Sequence, residues 1–422
     1  MAEDCTVVRF SKDHSTARIE NYKNNDSPDR LSDTVYFGTF YVICVIFSIF
    51  SYVADLTLAC FLLYFYSVNG YGVYFALTLT FVVMPAIILT AFNMRWYIID
   101  NDDASLGKVS LCQWVVRIIF LLLQISPLLR YIDTLIYGLK SRYARMEHMR
   151  MTLSRRMLDE DTNGALLRLF HCFLHSAPQA VIQLMFLLMQ LDSSDGNNII
   201  REDIAVLQAW TVIVAVVSVA WSLTSYHRSV RYSRDDKENV SWSATMVAFC
   251  WHFMSTVSRV LALSMLAAIY PWWMGVVCAL HWGVMAIWLA LSQTSACSSH
   301  CEELLLSMAL GFAYVIAFIS PRDGPTRYAY LVYYLVCLME NTGALVVWYF
   351  QSSLENYAYL RYGAALAQIV SFLLAIVFLL VYYRHCHPST AGRGKILEIT
   401  DPNSLELNKP GYSKSYSSHH PN

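Results

Sequence analysis

Charge is what this chain lacks. Of its 422 residues only 14% are Asp, Glu, Lys or Arg, whereas 56% are hydrophobic, and the mean hydropathy is +0.41. A soluble chain of this size needs a charged surface to face water, so a soluble globular fold is excluded and a polytopic helical membrane protein is implied. A disulfide framework is missing as well. The 11 cysteines are odd in number, lie mainly in apolar stretches and read as small buried hydrophobes, without zinc-ligand spacing. His385-Cys386-His387 lacks a fourth ligand, and Cys386 suits palmitoylation instead. There is no glycine-rich phosphate loop, nucleotide motif or Ser/His/Asp arrangement, so no enzyme activity, cofactor, metal or nucleic-acid partner is expected. Residues 1–34 are polar, with Arg9, Lys12, Arg18, Lys23 and Arg30 among acids. They carry no cleavable signal, and the first span is expected to serve as signal-anchor.

What the chain does have is apolar length. Ten hydrophobic segments can be read, at 36–66, 71–94, 111–139, 166–191, 204–223, 242–269, 271–291, 304–319, 328–350 and 359–383; roughly 20 apolar residues suffice for one bilayer crossing. Two connections are strongly basic: Lys140, Arg142, Arg145, Arg150, Arg155 and Arg156, then Arg228, Arg231, Arg234 and Lys237. The bias of Lys and Arg toward the cytoplasm places both inside, while the acidic loop 192–203 suits the outside. With the amino end inside, this parity holds only if segment 111–139 enters and returns. Ser126-Pro127 breaks it midway, and Arg117, Arg130 and Asp133 make it a poor lipid-facing span.

The second half has the same order, and its short segment ends at Ile319-Ser320-Pro321 as the first breaks at Ile125-Ser126-Pro127. The expectation is therefore an all-α polytopic membrane protein: eight transmembrane helices plus two re-entrant helical segments in two pseudo-symmetric repeats. Its parts are a cytoplasmic amino tail (1–34), a first membrane repeat (35–224), a basic cytoplasmic loop (225–241), a second repeat (242–384) and a disordered cytoplasmic tail (385–422) rich in Ser, Pro, Asn and Gly. Both sequons, at Asn25 and Asn239, then lie inside and stay unglycosylated.

The few charges inside the spans are the candidate functional residues. Asp55 sits in the middle of the first span, where a carboxylate costs on the order of 2.5 to 3.5 kcal/mol on insertion scales. In segment 166–191, Arg168, His171, His175, Gln179 and Gln183 recur at steps of three and four, which puts all five along one stripe of a helix. Arg259 and Glu340 are opposite charges deep in later spans. One reading makes these groups inter-helix glue. The other makes them a hydrophilic track for lipid headgroups or ions, which requires Asp55, Arg168, Gln179, Gln183, Arg259 and Glu340 to face one groove. Trp272, Trp273, Trp288 and Trp348 read as interface anchors.

Several short motifs, taken in order, resemble the XK-related membrane proteins over residues 55–388. They are Asp55, Arg95-Trp96-Tyr97, Arg130-Tyr131, Arg168-Leu169-Phe170, Ser176-Ala177-Pro178-Gln179, Tyr226 with Arg231, Arg259, His281-Trp282, Asp323-Gly324-Pro325-Thr326-Arg327, Glu340-Asn341, Trp348-Tyr349, Tyr382-Tyr383 and His387-Pro388. The resemblance implies a plasma-membrane protein that scrambles phospholipids without ATP, phosphatidylserine included, in several members after caspase cleavage of a tail in apoptosis. Other members act as adaptor or structural partners of a single-span accessory protein or a lipid-transfer protein. Where family members often carry acids around the Pro-Gln motif, this chain has His171 and His175, so a pH dependence is expected, histidine being the side chain whose ordinary titration lies near neutrality. Asp26-Ser27-Pro28-Asp29 has the two-aspartate spacing of a caspase site, with cleavage expected after Asp29; the alternative is a solvated tail charge. Asp401 is followed by Pro402, which should block cleavage. A small-solute transporter is a third functional class.

Overall fold

The computed structural model describes residues 37–102, 111–122, 125–192, 202–232, 240–291, 300–319, 327–352 and 358–386. Both tails, Asp29 included, lie outside the described residues. Every regular element among the described residues is helical. The first half contains α1 (Thr39–Val68), α2 (Gly72–Asp102), α3 (Leu111–Leu122), α4 (Ser126–Tyr143), α5 (Glu147–His171), a π-turn (Cys172–Ser176), α6 (Ala177–Asp192) and α7 (Glu202–Tyr232). The second contains α8 (Trp242–Ile269), α9 (Pro271–Leu291), α10 (His300–Tyr314), α11 (Arg327–Gln351) and α12 (Ala358–Val381), closed by a second π-turn (Tyr382–Cys386).

Eight of these helical stretches are long and apolar enough to cross a membrane. The order expected from sequence recurs in each half: two long helices, a short broken segment, two more long helices. Local chemistry sets the joints. Asn69 Nδ2 donates to the Phe65 carbonyl (2.8 Å) to end α1, and Gly70, at φ 74°, turns the chain into α2 in a conformation that other residues resist. Pro271 opens α9 one residue after α8 ends, at the position where its missing N–H is harmless. Pro127 does the same in the first turn of α4.

The central axis is the stretch Glu147–Leu191, in which 72% of the most apolar window is buried; for α2 and α9 the share is 17%. The outer helices thus present apolar side chains to lipid, and the most enclosed helix is the one that carries the polar stripe. α4 lies along α5, close enough that a Cβ on Gly164 would stand 3.3 Å from that of Arg130. α9 and α10 touch more tightly still: a Cβ on Gly311 would come within 2.9 Å of the Ala286 backbone nitrogen. Four ends meet at one end of the bundle. Tyr41 in the first turn of α1 and Ser229 near the end of α7 both bond Asp161, Phe40 stacks edge-on against Trp242 at the start of α8, and Tyr382 after α12 packs on Trp251.

Three expectations change. Helix α7 continues to Tyr232, so residues 225–232 are not loop; their Ser225, Arg228 and Ser229 side chains turn inward. The stripe-bearing helix starts at Glu147, inside the first basic run, because Arg150, Arg155 and Arg156 tolerate helix as well as loop. Trp348 is no interface anchor: it is 1% exposed and packs with Leu188 and Met265, because its face of α11 turns toward the bundle.

The first short segment breaks at Ser126-Pro127 as expected, whereas the helix of the second ends before the expected Ser320-Pro321, which lies outside the described residues. α3, at 12 residues, spans about 18 Å and cannot cross a hydrocarbon core of roughly 30 Å. In the second half α10 ends at Tyr314, and residues 315–319 continue without helical structure yet fully buried. Unwound backbone at this depth needs protein partners, and it has them: the Arg259 guanidinium donates to the Val315 carbonyl (2.7 Å), and the Tyr314 hydroxyl donates to that of Ile319. Entry and return through one membrane face is a separate property, which the helices alone do not show.

Candidate functional site

Proline explains the bend in the central helix. Pro178 has no N–H to give the Leu174 carbonyl and its ring crowds that turn, so the backbone widens into the π-turn at Cys172–Ser176, immediately upstream. A π-turn acts like one inserted residue. The stripe predicted from spacing exists across it, with every member buried.

The opposite wall is α1, whose buried positions Tyr41, Val45, Ser48, Ser51, Asp55, Ala59, Leu62 and Tyr66 recur at steps of three and four. Polar contacts between these two helices form a continuous ladder. At one end Asp161 accepts from Tyr41 (2.6 Å) and Ser229 (2.5 Å). Next, Arg168 donates to Ser51, while its Nε and Nη1 are buried with no hydrogen-bond acceptor among the described residues. Midway, Asp55 Oδ2 accepts from Ser176 and faces His171 Nε2 at 3.5 Å and His175 Nε2 at 4.0 Å. Beyond it Gln179 donates to the Thr78 carbonyl (2.9 Å), and Gln183 donates to Thr78 Oγ1 (3.0 Å) and accepts from Tyr66 (2.6 Å). Gln208 closes the ladder by donating to the Tyr66 hydroxyl (2.7 Å). From Asp161 to Gln183 the central helix rises roughly 30 Å at about 1.5 Å per residue, the thickness of a bilayer hydrocarbon core.

The Asp161 end opens into a small cleft lined by Ser48, Asp161, Trp221, Ser225 and Arg228 among others. Arg228 lies over the Trp242 ring at 3.4 Å, with Tyr232 and Tyr41 at 4.9 and 5.0 Å. Cation–π attraction stabilises its charge there. Arg130 sits beside this region, bonded to Glu160 (2.8 Å) and Asn93 (3.3 Å) under the Tyr97 ring. Arg95, a further candidate, is exposed at the end of the second span rather than buried in the ladder.

Arg259 and Glu340 do not join that ladder, and the requirement of one groove for all six residues fails for these two. They form an ion pair with each other, extended by His281 Nδ1 to Glu340 (2.9 Å) and by Arg259 Nη1 to Asn341 (3.0 Å). Together with the Val315 carbonyl, these contacts tie α8, α9, α11 and the unwound segment into one knot. Its order mirrors the first half, with opposite charges on the first and third spans, but the acid and the base have exchanged places.

Sequence reasoning missed Tyr66, Thr78, Asp161 and Gln208. The three-and-four spacing of small and polar residues on α1 was a usable signal, and so was Gln208 with Thr211 three residues on, both buried on α7; Thr78 stands among other uncharged polar residues of α2 and nothing local singles it out. One group of metal-ligand type is also brought together, Asp55 with His171 and His175, all buried and with candidate ligand atoms within 4.8 Å of one another. No local spacing reveals it, because Asp55 comes from a different helix.

A family model described as XK-related protein matches residues 43–388. Among curated proteins, Cell death abnormality protein 8 of Caenorhabditis elegans is 25% identical over 402 residues, covering 90% of this chain and 85% of the relative. Its namesake in Caenorhabditis briggsae is 25% identical over 423 residues, covering 90% and 87%.

Proposed function

Because the chain belongs to the XK-related family, we propose that it is a phospholipid scramblase, moving lipids between leaflets without ATP and exposing phosphatidylserine at the plasma membrane during cell death. One observation carries the reading, now confined to the first half of the chain because Arg259 and Glu340 lie outside it: the ladder from Asp161 to Gln183 matches the full hydrocarbon depth and alternates acids, bases and amides. A zwitterionic headgroup needs both signs along such a path, while its acyl chains stay in the bilayer. Arg168 supplies unfilled donors midway for a phosphate. The relatives' names, which speak of cell death, support the apoptotic setting.

Sidedness follows from charge. The exposed arginines 142, 145, 150 and 155 and the end of α7 share the bundle end at which α1 begins and α12 finishes. By the bias of basic residues that end is cytoplasmic, and both termini with it. A caspase acting after Asp29 would be the activating partner.

The test is purified protein in liposomes carrying fluorescent lipid in both leaflets, with a membrane-impermeant quencher. Full-length chain, or chain lacking residues 1–29, should exchange lipid without ATP. Arg168→Met should slow exchange by about tenfold, the effect of removing roughly 1.4 kcal/mol of favourable contact. No exchange from either form would overturn the reading in favour of an adaptor that recruits a single-span or lipid-transfer partner, a role for which the closed Arg259–Glu340 knot is the supporting observation.

A further inference from the structure

Asp55, His171 and His175 have unfinished coordination. Asp55 Oδ1, His171 Nε2 and His175 Nε2 are all buried with no hydrogen-bond partner among the described residues, and a polar atom left orphaned in the interior is destabilising. The three side chains meet at mid-depth, one ligand atom of each within 4.8 Å of the others.

The tautomer of His175 sharpens the problem. Its Nδ1 lies 2.7 Å from the Phe81 carbonyl oxygen, which can only accept, so Nδ1 carries the proton. In the neutral ring Nε2 is then a bare lone pair aimed at a carboxylate 4.0 Å away. Two lone pairs facing each other in a dry interior repel unless something positive lies between them. A proton on His171 would satisfy one contact and leave the others as they are. A single cation between the three side chains satisfies all of them.

We propose that Asp55, His171 and His175 form a binding site for one divalent transition-metal ion of the zinc class, joining α1 to the π-turn at the middle of the membrane. Imidazole nitrogens with one carboxylate suit such an ion and not calcium or magnesium. Bond lengths of about 2.0 to 2.2 Å place tetrahedral ligand atoms roughly 3.4 Å apart. The two imidazole–carboxylate separations, 3.5 and 4.0 Å, need a small contraction to reach this, and all three ligand atoms lie within 4.8 Å of one another before any ion draws them in.

The outer shell is in place. Phe81 orients His175 through Nδ1, Ser176 donates to the Asp55 carboxylate, and the Tyr52 ring packs on that of His171 at 4.7 Å. Such partners set ligand tautomer and aim. The three side chains leave a fourth position for water or an anionic oxygen. The site stands apart from the scrambling reading, since an ion can bind whether or not lipid moves.

The experiment uses full-length protein purified in detergent without chelator. Elemental analysis after zinc loading should give about one ion per chain, and cobalt(II) titration should produce visible d–d bands of a low-coordinate site. Zinc X-ray absorption should show nitrogen and oxygen ligands only. His171→Ala and His175→Ala should each weaken cobalt binding on the order of 100-fold, while His281→Ala, in the other His–carboxylate cluster, should leave it unchanged. Absence of a cobalt spectrum in the wild-type chain at micromolar ion would overturn the proposal. So would sulfur in the zinc shell, which would point to neighbouring Cys172, or a His171→Ala/His175→Ala chain that binds as the wild type does. The wild-type measurements decide the matter even if a variant fails to fold.

Discussion

At the scale of single residues, identical chemistry does different work in the two halves of the chain. Arg168 holds one bond to Ser51 and keeps donors to spare, whereas the contacts of Arg259 are spent on Glu340, Asn341 and the Val315 carbonyl. Removing one member of a buried ion pair strands the rest, at a cost of about 3 to 5 kcal/mol. Arg259→Met should therefore lower the thermal midpoint sharply in detergent, and Arg259→Lys should restore little, because an ammonium cannot reach a carboxylate, an amide and a carbonyl at once. A midpoint equal to wild type would remove the structural role. Spacing made the stripe from Arg168 to Gln183 legible and the cost of a mid-span carboxylate singled out Asp55. Opposite signs made pairing of Arg259 and Glu340 with each other or with Asp55 the default, and the first is found; the partners of Asp55 were not legible, since it faces two histidines and only the packing of α1 against the π-turn decides that.

At the scale of elements, the π-turn is the part on which the ladder depends. Pro178→Ala would restore an N–H for the Leu174 carbonyl and relieve a helix-interior proline worth about 3 kcal/mol. If the π-turn closed to α, α5 would turn by roughly 100° relative to α6, one residue of helical register. Arg168 would then leave Ser51 while Gln179 and Gln183 kept Thr78. The expected outcome is a raised thermal midpoint with reduced lipid exchange, measured on the same preparation; a variant that gains stability and keeps full exchange would dismiss the register argument. The break near Pro127 was legible because Pro and span parity mark it; the end of α10 at Tyr314 was not, since the apolar run continues to Ile319. The extension of α7 to Tyr232 was not, since Arg228 reads as a solvated loop charge until the rings of Tyr41, Tyr232 and Trp242 enclose it.

At the scale of the whole molecule, the gathering of both outer helix ends at one basic end makes a topological prediction. Epitope tags added at residue 1 and residue 422 should be reached by antibody only after cells are permeabilised, and Asn25 and Asn239 should carry no glycan. A tag stained on intact cells would reverse the orientation. The sequence by itself determined the membrane class, the number and order of the spans and the positions of the broken segments. Each of these follows from local quantities: apolar length against bilayer thickness, proline, and the distribution of basic residues. Only the tertiary structure decided that the buried charges divide into an open-ended ladder and a closed knot, that Trp348 belongs to the core, and that a carboxylate and two imidazoles meet. Those outcomes depend on which faces of distant helices turn toward one another. In lipid, where apolar faces gain little by choosing one neighbour over another, that choice rests on close packing and polar pairing across the whole bundle.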